Sequence, residues 1–159
     1  GAITVSSEPE KGATFKIYLP AVERGQTFAS ITEDSIANGT ERILFVDDET
    51  VLVNLGKRML ESLGYKVTTR TSSIEALELF KAKPDSFDLV ITDMTMPNMT
   101  GDKLASELIR IKPEIPIIIC SGYSAHINQE QALTMGIRAF ISKPVLKGDI
   151  AKAIRKVLG

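Results

Sequence analysis

Two patterns of apolar and polar residues meet near residue 42. Before it, the segments ITVSS and TFKIYLP alternate apolar with polar positions, separated by the turn-like SEPEKGA. An alternation of period two puts Ile3 and Val5 on one face, and likewise Phe15, Ile17 and Leu19. That predicts a β-hairpin with one apolar side, closed by Pro20. Residues 21–41, AVERGQTFASITEDSIANGTE, hold no sustained period and are rich in Ser, Thr, Gly and Asn, which reads as a linker.

After residue 42 the pattern changes to short apolar runs separated by helical periods. Strands are expected at ILFVD (43–47), YKVTT (65–69), FDLVIT (87–92), IPIIIC (115–120) and IRAFIS (137–142). Several are apolar almost throughout, as strands are when helices cover both faces of a parallel sheet. The first helix carries Leu52, Leu55, Met59 and Leu63 and stops at Gly64, a residue suited to ending a helix. The second opens on Ser72 with Glu75 three residues on, the spacing of a capping box. A third carries Leu104, Leu108 and Ile111 and ends before Pro113. A fourth spans about Ser124 to Met135, and the last carries Ile150, Ile154 and Val157. Strands alternating with helices predict an α/β domain with a doubly wound, five-stranded parallel sheet over residues 42–159.

Composition adds boundaries rather than chemistry. The chain has 159 residues, 43% hydrophobic and 25% charged, with a net charge of −1, which is the profile of a globular protein with no basic surface for nucleic acid. No apolar run approaches the roughly 20 residues needed to span a bilayer, and the first residues lack the pattern of a secretion signal. The expectation is a cytoplasmic fragment with neither nucleic-acid nor membrane contacts. The single cysteine, Cys120, forms no internal disulfide and reads as a small buried filler in a reducing compartment.

The chemistry lies where the strands end. In doubly wound sheets, ligands sit beyond the carboxyl ends of the strands, at the point where strand order reverses. Asp47 and Asp48 follow the first strand and Asp93 follows the third, in LVITDMTMPNMTG. With strand order 2-1-3-4-5 these strands are neighbours, and three carboxylates meet in one cleft. Unpaired they repel, and a divalent cation such as Mg²⁺, which takes hard oxygen ligands and keeps several waters, removes the conflict. Strand four ends CSGY and strand five ISKP, so the Ser121 hydroxyl and Lys143 ammonium reach the same rim. An ammonium and a hydroxyl beside metal-binding acids suit a phosphoryl group. Asp93 stands at the centre of the set, and a carboxylate can accept phosphate as an aspartyl phosphate. The Lys143–Pro144 bond is expected to be cis.

These motifs are similar to those of the receiver domain of two-component response regulators. The resemblance rests on FVDDE, ITDMTMPNMTG, the hydroxyl in CSGY, and AFISKP, and it covers residues 42–159. It implies a flavodoxin-like receiver fold with Asp93 as the phosphorylated residue. It further implies that Asp48 and Asp93 bind Mg²⁺ directly, that Asp47 assists, and that the carbonyl of Thr95 is a further ligand. Lys143 would pair with the phosphoryl group, while Ser121 and Phe140 would form the switch pair. The implied partner is a phosphohistidine donor, a histidine kinase or phosphotransfer domain, docking near the first helix. Residues 1–20 resemble the last hairpin of the ATP-binding domain of sensor histidine kinases, on the strength of a Ser-x-x-x-x-Gly turn and a strand ending Leu-Pro. Kinase tail, linker and receiver in that order resemble the carboxyl-terminal part of a hybrid sensor histidine kinase.

Taken singly, each of these residues has a plainer reading. Two acids after a strand are usually a solvated loop start, Asp93 could cap a helix, Ser121 suits a turn, Lys143 could be solvated, and Phe140 could be core. Their common register changes the weighing. His126, in SAHINQE, reads as an exposed residue of the fourth helix. A phosphohydrolase of the haloacid-dehalogenase type also uses an aspartyl phosphate, but it needs a second acid two residues on, where this chain has Thr95. A receiver-like interaction module that is never phosphorylated is the other alternative. The apolar side of the hairpin predicts that it pairs with another copy of the chain, as a homodimer contact, or lies against its own receiver.

Overall fold

The computed structural model describes residues 1–20, 39–122 and 136–159. The chain divides into two compact units, Gly1–Asp34 and Ser35–Gly159. The first contains an antiparallel hairpin of β1 (Ala2–Glu8) and β2 (Gly12–Tyr18). Its register pairs Ile3 with Ile17 and Val5 with Phe15, so these four side chains share one face, as the alternation predicts. The turn closes with Lys11 N–H donating to the Glu8 carbonyl (3.1 Å), and Gly12 adopts φ +87°, a conformation open to glycine. The apolar face is exposed, Ile3 and Phe15 each to 66%.

The second unit begins with β3 (Arg42–Val46) and α1 (Thr50–Glu61), then β4 (Lys66–Arg70) and α2 (Ser73–Ala82). A single 3-10 turn (Pro84–Ser86) leads to β5 (Leu89–Asp93) and α3 (Gly101–Ile111). After β6 (Ile117–Ser121) come β7 (Ala139–Ser142) and α4 (Lys147–Leu158). The five strands are parallel in the order β4-β3-β5-β6-β7, which is the expected 2-1-3-4-5. The predicted helix at 124–135, with His126, lies outside the described residues.

Each face of the sheet has its own core. On one side Leu44, Val46, Val90, Ile117 and Ile119 pack with Phe80 of α2 and Leu104 and Leu108 of α3. On the other, Ile43, Phe45, Leu89, Ile91 and Ile118 pack with Val53 and Leu60 of α1 and Ile150 and Ile154 of α4. Strand residues therefore alternate between two dry layers, and each fully buried Leu or Ile contributes about 1.5–3 kcal/mol. The expected capping of α2 is present: the Ser72 hydroxyl accepts from Glu75 N–H (3.4 Å). Gly64, φ +91°, lies in the turn that follows α1.

The face of α1 differs from the expected one. Val53, Gly56 and Leu60 are its buried residues, while Leu55 is 55% and Val51 76% exposed. The reason is Gly56. A Cβ there would sit 2.6 Å from the Phe45 ring, so only glycine lets the helix close onto that ring. Glycine adds no apolar signal to a sequence pattern, and Leu55 takes its place in the reading. The strands are also offset by one or two residues from their expected spans. As a result Asp93 and Ser121 are the last residues of β5 and β6, and Asp47 follows β3 directly.

Candidate functional site

The carboxyl ends of β3, β5, β6 and β7 form one rim, because parallel strands in register end together. Asp47 and Asp93 lie there with side chains only 4% and 7% exposed. Two buried carboxylates need compensation. Lys143, one residue beyond β7, supplies it: its Nζ lies 2.9 Å from Asp47 Oδ2 and 2.7 Å from Asp93 Oδ1. The lysine is held by its backbone N–H donating to the Ser121 carbonyl (2.8 Å), and the following Lys143–Pro144 bond is cis, as expected. Burial disfavours the ammonium, but hydrogen bonds to Asp93 and Asp47 and their charges outweigh it and hold the Lys143 pKa above the ordinary lysine value.

Local turns aim the carboxylates. Asp47 Oδ1 accepts from Glu49 N–H (3.0 Å), and Asp93 Oδ2 accepts from Thr95 N–H (2.9 Å). These are Asx-type contacts, in which an aspartate caps the backbone two residues ahead. Gly101, at the start of α3, makes a further contribution absent from the sequence reading. Its N–H donates to the Met94 carbonyl (2.9 Å), and a Cβ there would overlap the Asp93 carbonyl. The glycine that ends MPNMTG therefore lets α3 begin directly against the end of β5. Its place at the start of the predicted helix was the one available hint.

The structure brings together Asp47, Asp93 and Lys143, with Ser121 half-buried at the same rim. Asp48 departs from the expected convergence. It is exposed and lines a separate cavity of about 280 Å³ with Thr71, Ser72, Met96, Pro97 and Asn98. Among the described residues no three acids group as a set of metal ligands. The chain bends at Asp48, with the Asp47 side chain buried against Lys143 and Asp48 exposed. Phe140 is half-buried against the core on the α2–α3 side. Cys120 is buried beneath the rim, where burial pushes its thiol up to about 12, so it packs as an inert filler.

Known proteins show the same arrangement of sequence and fold. Residues 43–155 match the response regulator receiver domain family, and the chain belongs to that family. Sensor kinase CckA of Brucella abortus is 32% identical over 167 residues, covering 99% of this chain and 18% of that protein. The aerobic respiration control sensor protein ArcB of Escherichia coli is 31% identical over 160 residues, covering 98% of this chain and 20% of that protein. The chain thus spans about a fifth of the length of these relatives. A response regulator receiver domain protein from Clostridium thermocellum superimposes with a TM-score of 0.71 at 35% identity, covering 74% of this chain and 94% of that one. The protein carries a receiver domain of two-component phosphorelay signalling, homologous to the receiver regions of hybrid sensor kinases.

Proposed function

We propose that Asp93 is the phosphoacceptor, taking a phosphoryl group from a phosphohistidine on a histidine kinase or phosphotransfer domain. The observation that carries this reading is the shared ammonium: Lys143 lies within 2.9 Å of both buried carboxylates, one cation against two anions. In the reaction an Asp93 oxygen forms a bond to phosphorus as the bond from the donor imidazole nitrogen to phosphorus breaks, and that nitrogen keeps the electron pair. Lys143 is placed to shift from its acids to the transferred oxygens and stabilise their charge. Asp47, Asp48, Asp93 and the Thr95 carbonyl are all hard oxygen donors, a set that suits Mg²⁺, and they are the residues that would hold it. When bound, the ion would neutralise part of the charge on the phosphoryl oxygens.

Ser121, the last residue of β6, would donate its hydroxyl to the new phosphate, and Phe140, two residues before the end of β7, would be the aromatic partner that follows. Together they form the switch that alters partner binding. The donor docks over α1, a reading supported by the exposed Val51 and Leu55. Beside them lies a cavity of about 530 Å³ lined by Phe45, Leu52, Leu55, Met59, Lys143 and Pro144.

We infer that residues 1–20 are the last hairpin of a kinase ATP-binding domain, joined through 21–41 to the receiver at 42–159. The relatives' sensor-kinase names and their coverage of nearly the whole chain support this. The exposed apolar face of β1 and β2 then packs on the rest of that domain or on a second hairpin. Among the described residues no helix is long and apolar enough to cross a membrane, and the receiver is assigned to the cytoplasm on its phosphodonor chemistry. The test is intact mass after incubation with acetyl phosphate, with and without Mg²⁺, on the native chain and on Asp93→Asn. One added phosphoryl group that requires both Mg²⁺ and Asp93 is expected. Uptake by Asp93→Asn would refute the assignment.

A further inference from the structure

The opposite end of the sheet holds an ionic cluster that phosphoryl chemistry does not use. Arg155, near the end of α4, places its guanidinium 2.6 Å from Glu41 Oε1 and 5.5 Å from the centre of the Tyr65 ring. Glu41 precedes β3, and Tyr65 stands between α1 and β4. Both charged side chains are about three-quarters covered, at 28% and 25% exposure. The backbone is tied in as well: Gly39 N–H donates to the Leu63 carbonyl (3.0 Å), and Lys66 N–H to the Glu41 carbonyl (3.0 Å). A Cβ on Gly39 would overlap Glu41 Oε2 and Tyr65 Cε1, so only glycine passes beneath the cluster.

Two features separate this cluster from ordinary surface ion pairs. First, three of its buried polar atoms have no hydrogen-bond partner: Glu41 Oε2, Tyr65 Oη and Arg155 Nε. A partly satisfied buried network is held less tightly than a complete one, so the cluster is closed without being locked. Second, Gly39 and Glu41 lie upstream of the family match, which begins at residue 43, while Arg155 is its last residue. The cluster therefore joins the segment leading into the domain to the domain's final helix.

We propose that Glu41, Tyr65 and Arg155 form a latch that couples residues 39–41 to α4, so that the two segments open together. A displacement of the chain ahead of β3 then loosens the last turns of α4, and a displacement of α4 loosens residues 39–41. Such coupling is reciprocal by thermodynamic necessity. The inference stands on the amino end of the sheet alone and is independent of the phosphoacceptor assignment.

Hydrogen exchange on the full chain tests it, comparing the native protein with Glu41→Gln, Arg155→Met, the double variant and Tyr65→Phe. Glu41→Gln and Arg155→Met should each speed exchange at the Gly39 amide and at the final amides of α4 by about five- to tenfold, the scale of losing one partly buried ionic hydrogen bond. The double variant should exchange no faster than the quicker single one. Tyr65→Phe keeps the ring under the guanidinium and removes a hydroxyl without a partner, so it should leave both segments protected. The proposal is overturned if Glu41→Gln leaves α4 unchanged, if the two single effects multiply, or if Tyr65→Phe alone opens both segments. Exchange at β5 and β6 reports global stability and should quicken by no more than the same factor, since the unfolded chain has lost the latch as well.

Discussion

The two ends of one sheet treat charge differently. At the amino end three cations each have their own acid: Arg42 pairs with Asp88 (2.7 Å), Arg155 with Glu41 (2.6 Å) and Lys112 with Asp85 (3.4 Å). At the carboxyl end a single ammonium serves two buried carboxylates, and a third acid, Asp48, stands exposed beside them. The first end holds matched, structural pairs. The other carries surplus negative charge that attracts a further cation and leaves Lys143 able to exchange partners. The proposed reactivity rests on charge left uncompensated where strand ends converge.

Breaking the carboxyl end should have the largest effect. Asp93→Asn should abolish phosphoryl uptake, measured as intact mass. Lys143→Met should slow uptake by about 10²-fold, the scale of losing a charge aimed at a transition state. It should also destabilise the fold by about 3 kcal/mol in urea titration, because Asp47 and Asp93 lose their shared counter-charge. Combining Lys143→Met with Asp93→Asn should recover part of that stability, since one buried charge is gone. Full additivity would show that the ammonium is not shared.

Glycine substitutions come next. Gly56→Ala forces a methyl against the Phe45 ring and should cost about 1–3 kcal/mol in thermal or urea unfolding. Gly101→Ala presses on the Asp93 carbonyl and should lower both stability and the rate of phosphoryl uptake. A loss of stability with no loss of rate would show that α3 does not position the acceptor.

The smallest effect belongs to the balanced end. The Arg42 hydrogen bonds and charge hold the Asp88 pKa at about 2, below its ordinary 3.8, against the opposing effect of burial. A depressed carboxylate pKa stabilises above the unfolded value and loses that contribution as pH falls through the folded one. The pair should therefore fade between about pH 4 and about pH 2. With both side chains more than a third exposed, solvent screening limits Asp88→Asn to under about 1 kcal/mol near neutrality. Unfolding measured across that pH range should lose this component in the variant.

Much of this contrast was legible in the sequence. Apolar runs ending in Asp47, Asp93, Ser121 and Lys143 marked the strands and their common rim, because buried parallel strands carry an unbroken apolar signal, whereas the strand order entered only as a condition that the sheet then met. Side-chain direction after a strand was not legible: Asp47 is buried against Lys143 and Asp48 is exposed, which depends on how the backbone leaves β3. The buried face of α1 was misread because Gly56 packs by being small. The clasp at Glu41 was missed because its partners Tyr65 and Arg155 lie far away in the chain, and Glu41 falls in a segment with no period.

The most direct test of the central claim identifies the residue that carries the phosphate. The phosphorylated chain is reduced with borohydride, which converts an aspartyl phosphate to homoserine, and its peptides are then mapped by mass. Homoserine is expected at position 93 and nowhere else. A phosphate that survives reduction, or homoserine at Asp47 or Asp48, would contradict it.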